Sequence, residues 1–478
     1  MLFNSLEFAV FFPLVTALYF LLPHRWRGGM LLVASCYFYM AFVPKYILIL
    51  AFTIAIDYVA GLLIDRSTGP RRRLWLVTSL VANLGVLAFF KYFNFLNGTM
   101  QTAAYATGLP YGVQPLAIIL PIGLSFHTFQ SMSYTIEVYR GHQAAERSIG
   151  RFALYVMFYP QLVAGPIERP QNLLEQLKVE HVFDYERAKS GLQLMAWGLF
   201  KKVAVADRLA GAVNAVYGDT ALYSGTAILL ATYLFAIQIY CDFSGYSDIA
   251  IGAAQVMGFR LMRNFDRPYF SQSIAEFWRR WHISLSTWFR DYVYFPLGGG
   301  RVPGPRHALN LLIVFTLSGL WHGANWTFVA WGVLNGAYLV ASIASERLRR
   351  YTVALSGLRH LPLLHNGLRR LWTFHLIVVS WVFFRAASLS DALGIFRAIG
   401  TNRPGLALPF ESIGGRTMVV IAVGALLAVE LLQSRVNLRG LLSSRPAMIR
   451  WPAYVACVMV LLLLGNFASD QKFIYFQF

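Results

Sequence analysis

Two histidines lie in parts of the sequence that are otherwise apolar or aromatic. His322 lies in the segment SGLWHGANW (318–326), and His282 lies in the segment EFWRRWHIS (276–284). An imidazole with an ordinary pKa of about 6.5 can accept and return a proton near neutral pH, and the glycines around His322 let a substrate approach closely. The residues alone leave two interpretations open: acid–base catalysis, or a buried histidine that is hydrogen-bonded to a neighbouring helix.

Charged side chains in the same region are further candidates, because ionisable groups within apolar segments are costly. Asp242 lies in CDFSGYSD (241–248), and Arg279 and Arg280 follow Glu276 by three and four residues. A helix that begins near Ile274 would pair Glu276 with both arginines, which then either anchor an interfacial helix or contact an anionic substrate. The apolar face of that helix would carry Trp278, Trp281 and Leu285.

Neither histidine belongs to a metal-binding pattern. Neither has an HExxH or HxxxH partner, and the cysteines lack CxxC spacing, so we expect no metal site and no permanently bound cofactor. Signatures of the GxSxG and Walker types are absent, which argues against serine hydrolases and nucleotide hydrolases. The cysteines are Cys36, Cys241 and Cys457.

The elements that hold these residues are predicted to be membrane helices. The chain has 478 residues, of which 57% are hydrophobic and 13% charged, whereas a soluble domain carries about 25% charged residues. Its apolar runs approach the roughly 20 residues that cross a bilayer, which predicts about ten to eleven spans. The runs are 5–22, 29–43, 46–64, 74–93, 117–138, 223–241, 308–321, 325–345, 372–388, 416–434 and 451–468.

The formal charge of +19 is explained by the way basic residues are distributed in a membrane protein. The basic residues are concentrated in short loops between the apolar runs, where the positive-inside rule places them in the cytoplasm, so we expect no nucleic-acid partner. This orientation puts the N-terminus and the C-terminal tail outside. The basic loops are 24–27, 66–73, 140–151, 347–350 and 435–450.

Two stretches are too polar and too rich in glycine and proline for simple spans. Residues 152–202 and 242–300 are predicted to form re-entrant or half-buried elements, because irregular backbone at membrane depth must line protein or a water-filled cavity. No internal repeat or soluble domain is evident. We therefore predict one membrane domain over 1–478, with a catalytic core at about 117–345 and an aromatic tail at 470–478.

These segments resemble the membrane-bound O-acyltransferase superfamily, and within it the membrane subunits that O-acetylate alginate and their relatives that act on cellulose and peptidoglycan. The resemblance extends over most of the chain. It implies an all-α polytopic fold, a ring of tilted helices around a thin central region with a funnel. The matching segments are PIGLSF (121–126), FYPQLVAGPI (158–167), 242–251, 276–297 and 318–325.

The same resemblance assigns roles to individual residues. It implies that His322 is the catalytic histidine and that His282 is the second one. Asp242, Asn325 and Trp321 are then expected to position the substrate, and Arg279 and Arg280 to contact the donor. His127 stands where these relatives have an aromatic residue, and we interpret it as a helix-packing residue.

The chain ends in the aromatic tail DQKFIYFQF (470–478). On composition the tail is equally typical of an interfacial aromatic belt. It also resembles the closing motif of the alginate-type relatives and of a small protein of teichoic-acid D-alanylation, in which a tyrosine is implicated as an acyl carrier. This likeness implies that Tyr475 carries the acyl group as a phenyl ester.

The resulting hypothesis is an O-acetyltransferase of the bacterial inner membrane. We expect a cytosolic thioester donor, acetyl-CoA or an acyl carrier, and a partner protein outside the membrane that loads an alginate-like, cellulose or other polysaccharide. A peptidoglycan acceptor is the alternative within the family. From other classes, a proton-coupled transporter or flippase would require two related halves, and a non-catalytic scaffold would show no transfer of its own.

Overall fold

The fold is built from helices. The computed structural model describes residues 1–163, 165–401, 405, 410, 413–467 and 473–474, and within these ranges it contains no β-strand. Each predicted apolar run overlaps a helix, although residues 117–123 of the run 117–138 precede the helix Leu124–Arg140. The prediction of an all-α polytopic membrane protein is confirmed.

Six helical segments in the described part of the chain are long and apolar enough to cross a membrane. The remaining predicted runs are also helical but are shorter or more polar, as in the 16-residue helix Leu6–Leu21. The six segments are Pro44–Arg66, Gly69–Ala106, Gly225–Met257, Trp326–Ala344, Gly414–Gln433 and Ala447–Leu464.

The chain divides into two compact units. The first comprises Met1–Met195 and Tyr246–Met262, and the second comprises Ala196–Gly245 and Arg263–Phe478. The main helices of the first unit are Leu6–Leu21, His24–Met40, Ile47–Arg66, Gly69–Leu87, Phe93–Ala106, Leu124–Arg140, Ile149–Met157, Tyr159–Leu162 and Pro170–Gln176. Those of the second are Asp207–Gly218, Ile274–Arg280, Ile283–Phe289, Gly304–His322, Trp326–Ala344, Glu346–Leu355, Pro362–Arg385, Leu389–Gly400, Ile413–Gln433, Leu438–Ser443 and Ala447–Leu464. Tyr185–Leu199 and Gly225–Met257 contribute residues to both.

The predicted irregularity of the two polar stretches is found only in part. Residues 152–176 form short helices, but from Tyr185 to Gly218 the chain is continuously helical, with a π-helical segment at Phe200–Ala206. The prediction that a span ends at Cys241 is wrong, because one 33-residue helix continues from Gly225 to Met257. The polar side chains beyond Cys241 do not interrupt it, since Asp242, Ser244 and Ser247 are buried in protein. A helix keeps its backbone hydrogen bonds when such side chains find partners around it.

The prediction of one helix through Trp281 and Leu285 is also wrong. The helix Ile274–Arg280 stops, His282 adopts a left-handed conformation with φ 43°, and a second helix runs from Ile283 to Phe289. Asn264 causes this break. Its carbonyl oxygen accepts the N–H of Ile283 at 2.9 Å, and its side-chain oxygen accepts the N–H of Ser284 at 3.3 Å.

His127 lies in the first unit on the helix Leu124–Arg140. Its ring is buried and meets the ring of Tyr39 edge-on, with the centroids 6.0 Å apart. These contacts agree with the interpretation of His127 as a helix-packing residue.

Candidate active site

His322 is held at the end of a tightly packed helix pair in the second unit. It is the last residue of the helix Gly304–His322, which packs against Trp326–Ala344. Glycines allow this close approach: a Cβ added to Gly319 or Gly332 would overlap a carbonyl oxygen of the facing helix. The backbone position of His322 is therefore fixed by contacts that tolerate no larger residue.

Aromatic rings surround the imidazole of His322. The rings of Trp321 and Trp331 each have centroids 5.0 Å from it, and that of Phe384 is 5.4 Å away, all nearly perpendicular to it. The residue is 4% exposed. The orientation of the imidazole is therefore fixed by packing against these rings.

Asn264 orients the second histidine. The side-chain oxygen of Asn264 lies 3.1 Å from Nδ1 of His282 and also accepts the hydroxyl of Ser284 at 3.0 Å. An amide oxygen can only accept, so the convergence of donors on this atom places a proton on Nδ1 of a neutral His282. Nε2 of the neutral ring then carries the lone pair.

The structure brings both histidines to one place. Their ring centroids are 6.4 Å apart, and Trp321 contacts both rings, at 5.9 Å from His282 and 5.0 Å from His322. The two imidazoles are therefore close enough for both to act on the same small group.

Asp242 belongs to a buried ionic cluster. Its carboxylate lies 2.7 Å from Nζ of Lys202, and the carboxylate of Asp207 lies 2.8 Å from the same nitrogen. The three side chains are at most 5% exposed. With one cation between two anions, the cluster carries a formal charge of −1 if all three groups are ionised.

Two residues of the C-terminal tail, Phe473 and Ile474, contact residues next to the histidines. The backbone N–H of Ile474 donates to Oδ2 of Asp242 at 2.7 Å. The buried ring of Phe473 packs on Phe243 with a centroid distance of 5.7 Å, and Phe243 meets His282 edge-on at 4.7 Å. The carboxylate therefore holds Ile474, and the ring of Phe473 before it packs next to the residue that contacts the second histidine.

Tyr475 lies outside the described residues, but its neighbour does not. The chain after the last long helix is also held: the N–H of Asn466 donates to the carbonyl of Val203 at 2.9 Å, and Arg208 donates to the carbonyl of Leu464.

Asn325 acts as a helix cap. Its side-chain oxygen accepts the N–H of Thr327 at 3.0 Å, at the start of Trp326–Ala344, and its amide nitrogen donates to the carbonyl of Ala387 at 3.0 Å. These bonds use the side chain to fix the turn after His322. Its predicted contact with substrate stays a prediction.

The two arginines have different surroundings. Arg280 forms an ion pair with Glu276 at 2.5 Å, as predicted for a separation of four residues, whereas Arg279 is exposed. The predicted contact of both with an anionic donor stays a prediction. No cluster of three or more histidine, cysteine, aspartate or glutamate side chains with metal-binding geometry occurs within the described ranges.

Sequence reasoning missed the residues that support the two histidines and the tail. Lys202 and Asp207 lie in the run FKKVAVAD (200–207). Charged residues within an apolar run could have identified both as candidates. Asn264 carried no such signal, because its role depends on a turn that periodicity does not predict.

The chain is similar to known acyltransferases. The model of the membrane-bound O-acyltransferase family matches residues 140–384, which include Asp242, His282 and His322. A protein of Azotobacter vinelandii named Probable alginate O-acetylase AlgI is 40% identical over 407 residues, 84% of this chain and 78% of the relative.

Two further relatives have other acceptors in their names. A Peptidoglycan O-acetyltransferase of Helicobacter pylori is 33% identical over 412 residues, 80% of this chain and 75% of its own. A Teichoic acid D-alanyltransferase of Streptococcus thermophilus is 27% identical over 286 residues, 55% of this chain and 68% of its own. The family match and these identities, together with the apolar helices, show that this multi-pass membrane protein belongs to the membrane-bound O-acyltransferase family and is an O-acyltransferase.

Proposed function

We propose that the chain transfers an acetyl group from a cytosolic thioester, acetyl-CoA or an acyl carrier, to a polysaccharide outside the bacterial inner membrane. The names of the relatives support an extracytoplasmic polymer as acceptor, and the higher identity to the alginate enzymes favours an alginate-like polysaccharide over peptidoglycan. The single observation that carries the chemistry is the 6.4 Å separation of the His322 and His282 rings in an apolar part of the fold.

The proposed reaction needs a proton acceptor next to the attacking hydroxyl. His322 removes the proton of the acceptor O–H, and the oxygen attacks the thioester carbonyl carbon. The C–S bond then breaks, and the leaving thiolate takes the proton back from the imidazolium. His282 accepts a hydrogen bond from the acceptor through Nε2, because Asn264 occupies its Nδ1–H.

Tyr475 is the proposed first acceptor. A thioester is more activated than a phenyl ester, which in turn is more activated than a sugar ester, so each transfer runs downhill. The hydrogen bond from Ile474 to Asp242 supports this role, since it holds the preceding residue beside Phe243 and His282. A sugar hydroxyl presented by an external partner protein then attacks the ester and releases the phenol.

The role of His322 is tested by comparing two buried histidines. His322→Ala and His127→Ala remove rings that are each 4% exposed. With purified full-length protein and labelled acetyl-CoA, His322→Ala is expected to lower the rate of acetyl transfer by about 10²–10⁴-fold, the usual contribution of a general base, whereas folded His127→Ala keeps activity. Wild-type transfer by His322→Ala would remove the proposed mechanism.

The role of the tail is tested separately. Mass spectrometry of the C-terminal peptide should find an acetyl group on Tyr475 in the wild type, and Tyr475→Phe should lose both this adduct and acetylation of the polymer. Full polymer acetylation by Tyr475→Phe would exclude the carrier step. Transfer by the purified chain alone excludes the scaffold and transporter alternatives, and analysis of cell polymers for acetyl groups distinguishes alginate-like from peptidoglycan acceptors.

A further inference from the structure

The first unit contains a cavity that the proposed reaction does not use. It has a volume of about 400 Å³, within the range of roughly 300–1,000 Å³ that is typical of small-molecule sites. Its lining comes from the first part of the helix His24–Met40 and from Ser148 with the start of Ile149–Met157, together with Tyr19, Leu177, Val179 and Phe259. All of these residues belong to the same compact unit.

The charged residues of the lining are basic. Arg25, Arg27 and Arg151 line the cavity together with His24, and no acidic residue is part of the lining. Two carboxylates lie nearby: Glu146 pairs with Arg151 at 2.8 Å, and an exposed glutamate, Glu180, lies 3.8 Å from Arg27. The three guanidinium groups carry three positive charges and the two carboxylates carry two negative charges, so an excess of positive charge remains.

The titration of a neighbouring histidine agrees with this excess. The backbone carbonyl oxygen of His181 accepts a hydrogen bond from Arg27 at 2.6 Å. Burial lowers the pKa of His181, and the positive charges of Arg187 and Arg27 lower it further. A cation is therefore disfavoured beside the cavity, and an anion is favoured.

The lining also contains apolar residues. These are Leu31, Leu32, Leu154, Leu177 and Phe259. Next to the basic residues, Trp26 and Phe183 are about 60% exposed, as is typical of aromatic residues at the level of lipid head groups. The cavity thus joins a basic part to an apolar part where both parts of a lipid would lie.

Two adjacent glycines keep the cavity open. Gly28 and Gly29 lie within the helix His24–Met40, and a Cβ added to either would meet no atom within 4 Å. Glycine lowers helix stability relative to alanine, and neither residue has a positive φ that would require it. No protein atom uses the space that their missing side chains leave.

We propose that this cavity binds the phosphate head group of an anionic phospholipid. The arginines neutralise the phosphate, the first turn of His24–Met40 adds the positive end of its helix dipole, and the acyl chains continue along the leucines. The two loops that supply the arginines are those predicted to face the cytoplasm, where anionic lipids are abundant. A phosphorylated thioester donor has similar chemistry, so the test must separate the two.

The test uses delipidated full-length protein and phosphatidylglycerol, with native mass spectrometry to count retained lipids and titration to give the affinity. Gly29→Leu fills the cavity and should abolish retention of one phosphatidylglycerol molecule. Gly85→Leu is the matched control, because Gly85 is also an exposed helical glycine with no atom within 4 Å of an added Cβ. It should retain lipid like the wild type.

Charge is tested with paired double variants. Each arginine near a membrane surface contributes about fivefold to the binding of anionic lipid. The double variant Arg25→Gln with Arg151→Gln should therefore weaken phosphatidylglycerol binding about 25-fold. The control is Arg66→Gln with Arg71→Gln, two exposed residues outside the lining, which should not weaken it. Zwitterionic phosphatidylethanolamine should bind more weakly than phosphatidylglycerol. Equal retention by Gly29→Leu and wild type would overturn the proposal, and so would full displacement of the lipid by acetyl-CoA, which would assign the cavity to the donor.

Discussion

Lys202→Met should destabilise the protein more than any other change in the buried ionic cluster. The variant leaves the carboxylates of Asp207 and Asp242 without the ammonium that lies 2.8 Å and 2.7 Å from them, in a region where the side chains are at most 5% exposed. Removing one partner from a buried ion pair typically costs about 3–5 kcal/mol, because an uncompensated charge stays behind. Here two buried carboxyl groups remain without a cation, so one must take up a proton or stay as an uncompensated charge, and the free energy of unfolding should fall by about that amount.

The neighbouring variants make this prediction specific. Asp207→Asn removes one negative charge and keeps the Lys202–Asp242 pair, so it should change stability by no more than about 1 kcal/mol, the size of one hydrogen bond. The double variant should lie between the two single variants, because the neutral amide relieves part of the repulsion. Lys178→Met is the exposed control: it removes an ion pair with Glu175 at the surface, which is worth about 0–1 kcal/mol.

The measurement is thermal unfolding in detergent, followed by tryptophan fluorescence, with carboxypeptidase digestion to report release of the tail. Lys202→Met should unfold at a lower temperature than the other variants, and its tail should be digested faster, since Asp242 no longer has a fixed position from which to hold Ile474. If Lys202→Met and Asp207→Asn unfold at the same temperature, the account of the cluster is wrong.

Three further predictions concern the residues around the histidines. Gly319→Ala should abolish transfer or prevent folding, because its Cβ would overlap the facing helix, while Gly424→Ala, where an added Cβ meets no atom, should leave activity and expression unchanged. Asn325→Ala should lower stability by about 0.5–2 kcal/mol through loss of the cap bond to Thr327, seen as a lower unfolding temperature. Asn264→Ala should reduce the rate of acetyl transfer more than substrate binding, because the second histidine loses the acceptor that fixes its tautomer; an unchanged rate would refute that role.

The helices could be predicted well because their signal is local. Apolar runs approaching the length of a bilayer crossing appear directly in the sequence, and each corresponds to a helix. Polar side chains misled the prediction at Asp242, where the helix continues through buried and partnered residues. A sequence window shows that a charge is present, but it does not show the distant lysine that compensates it.

The break at His282 shows the opposite limitation. Helical spacing of Trp278 and Trp281 predicts a continuous helix, but Asn264 takes the backbone N–H groups that this helix would have used. A residue 18 positions away thus decides the conformation of His282. The pairing of the two histidines was available only through the family resemblance, because 40 residues separate them and no local pattern brings their rings together.

The ionic cluster and the candidate active site are coupled through one residue. Asp242 uses one carboxylate oxygen for Lys202 and the other for the N–H of Ile474, so the group that anchors the tail is itself fixed by the buried lysine. The next residue, Phe243, contacts both Phe473 and His282. A buried charge cluster can therefore set the positions of Phe473 and Ile474, and through Phe243 it is linked to the ring of His282.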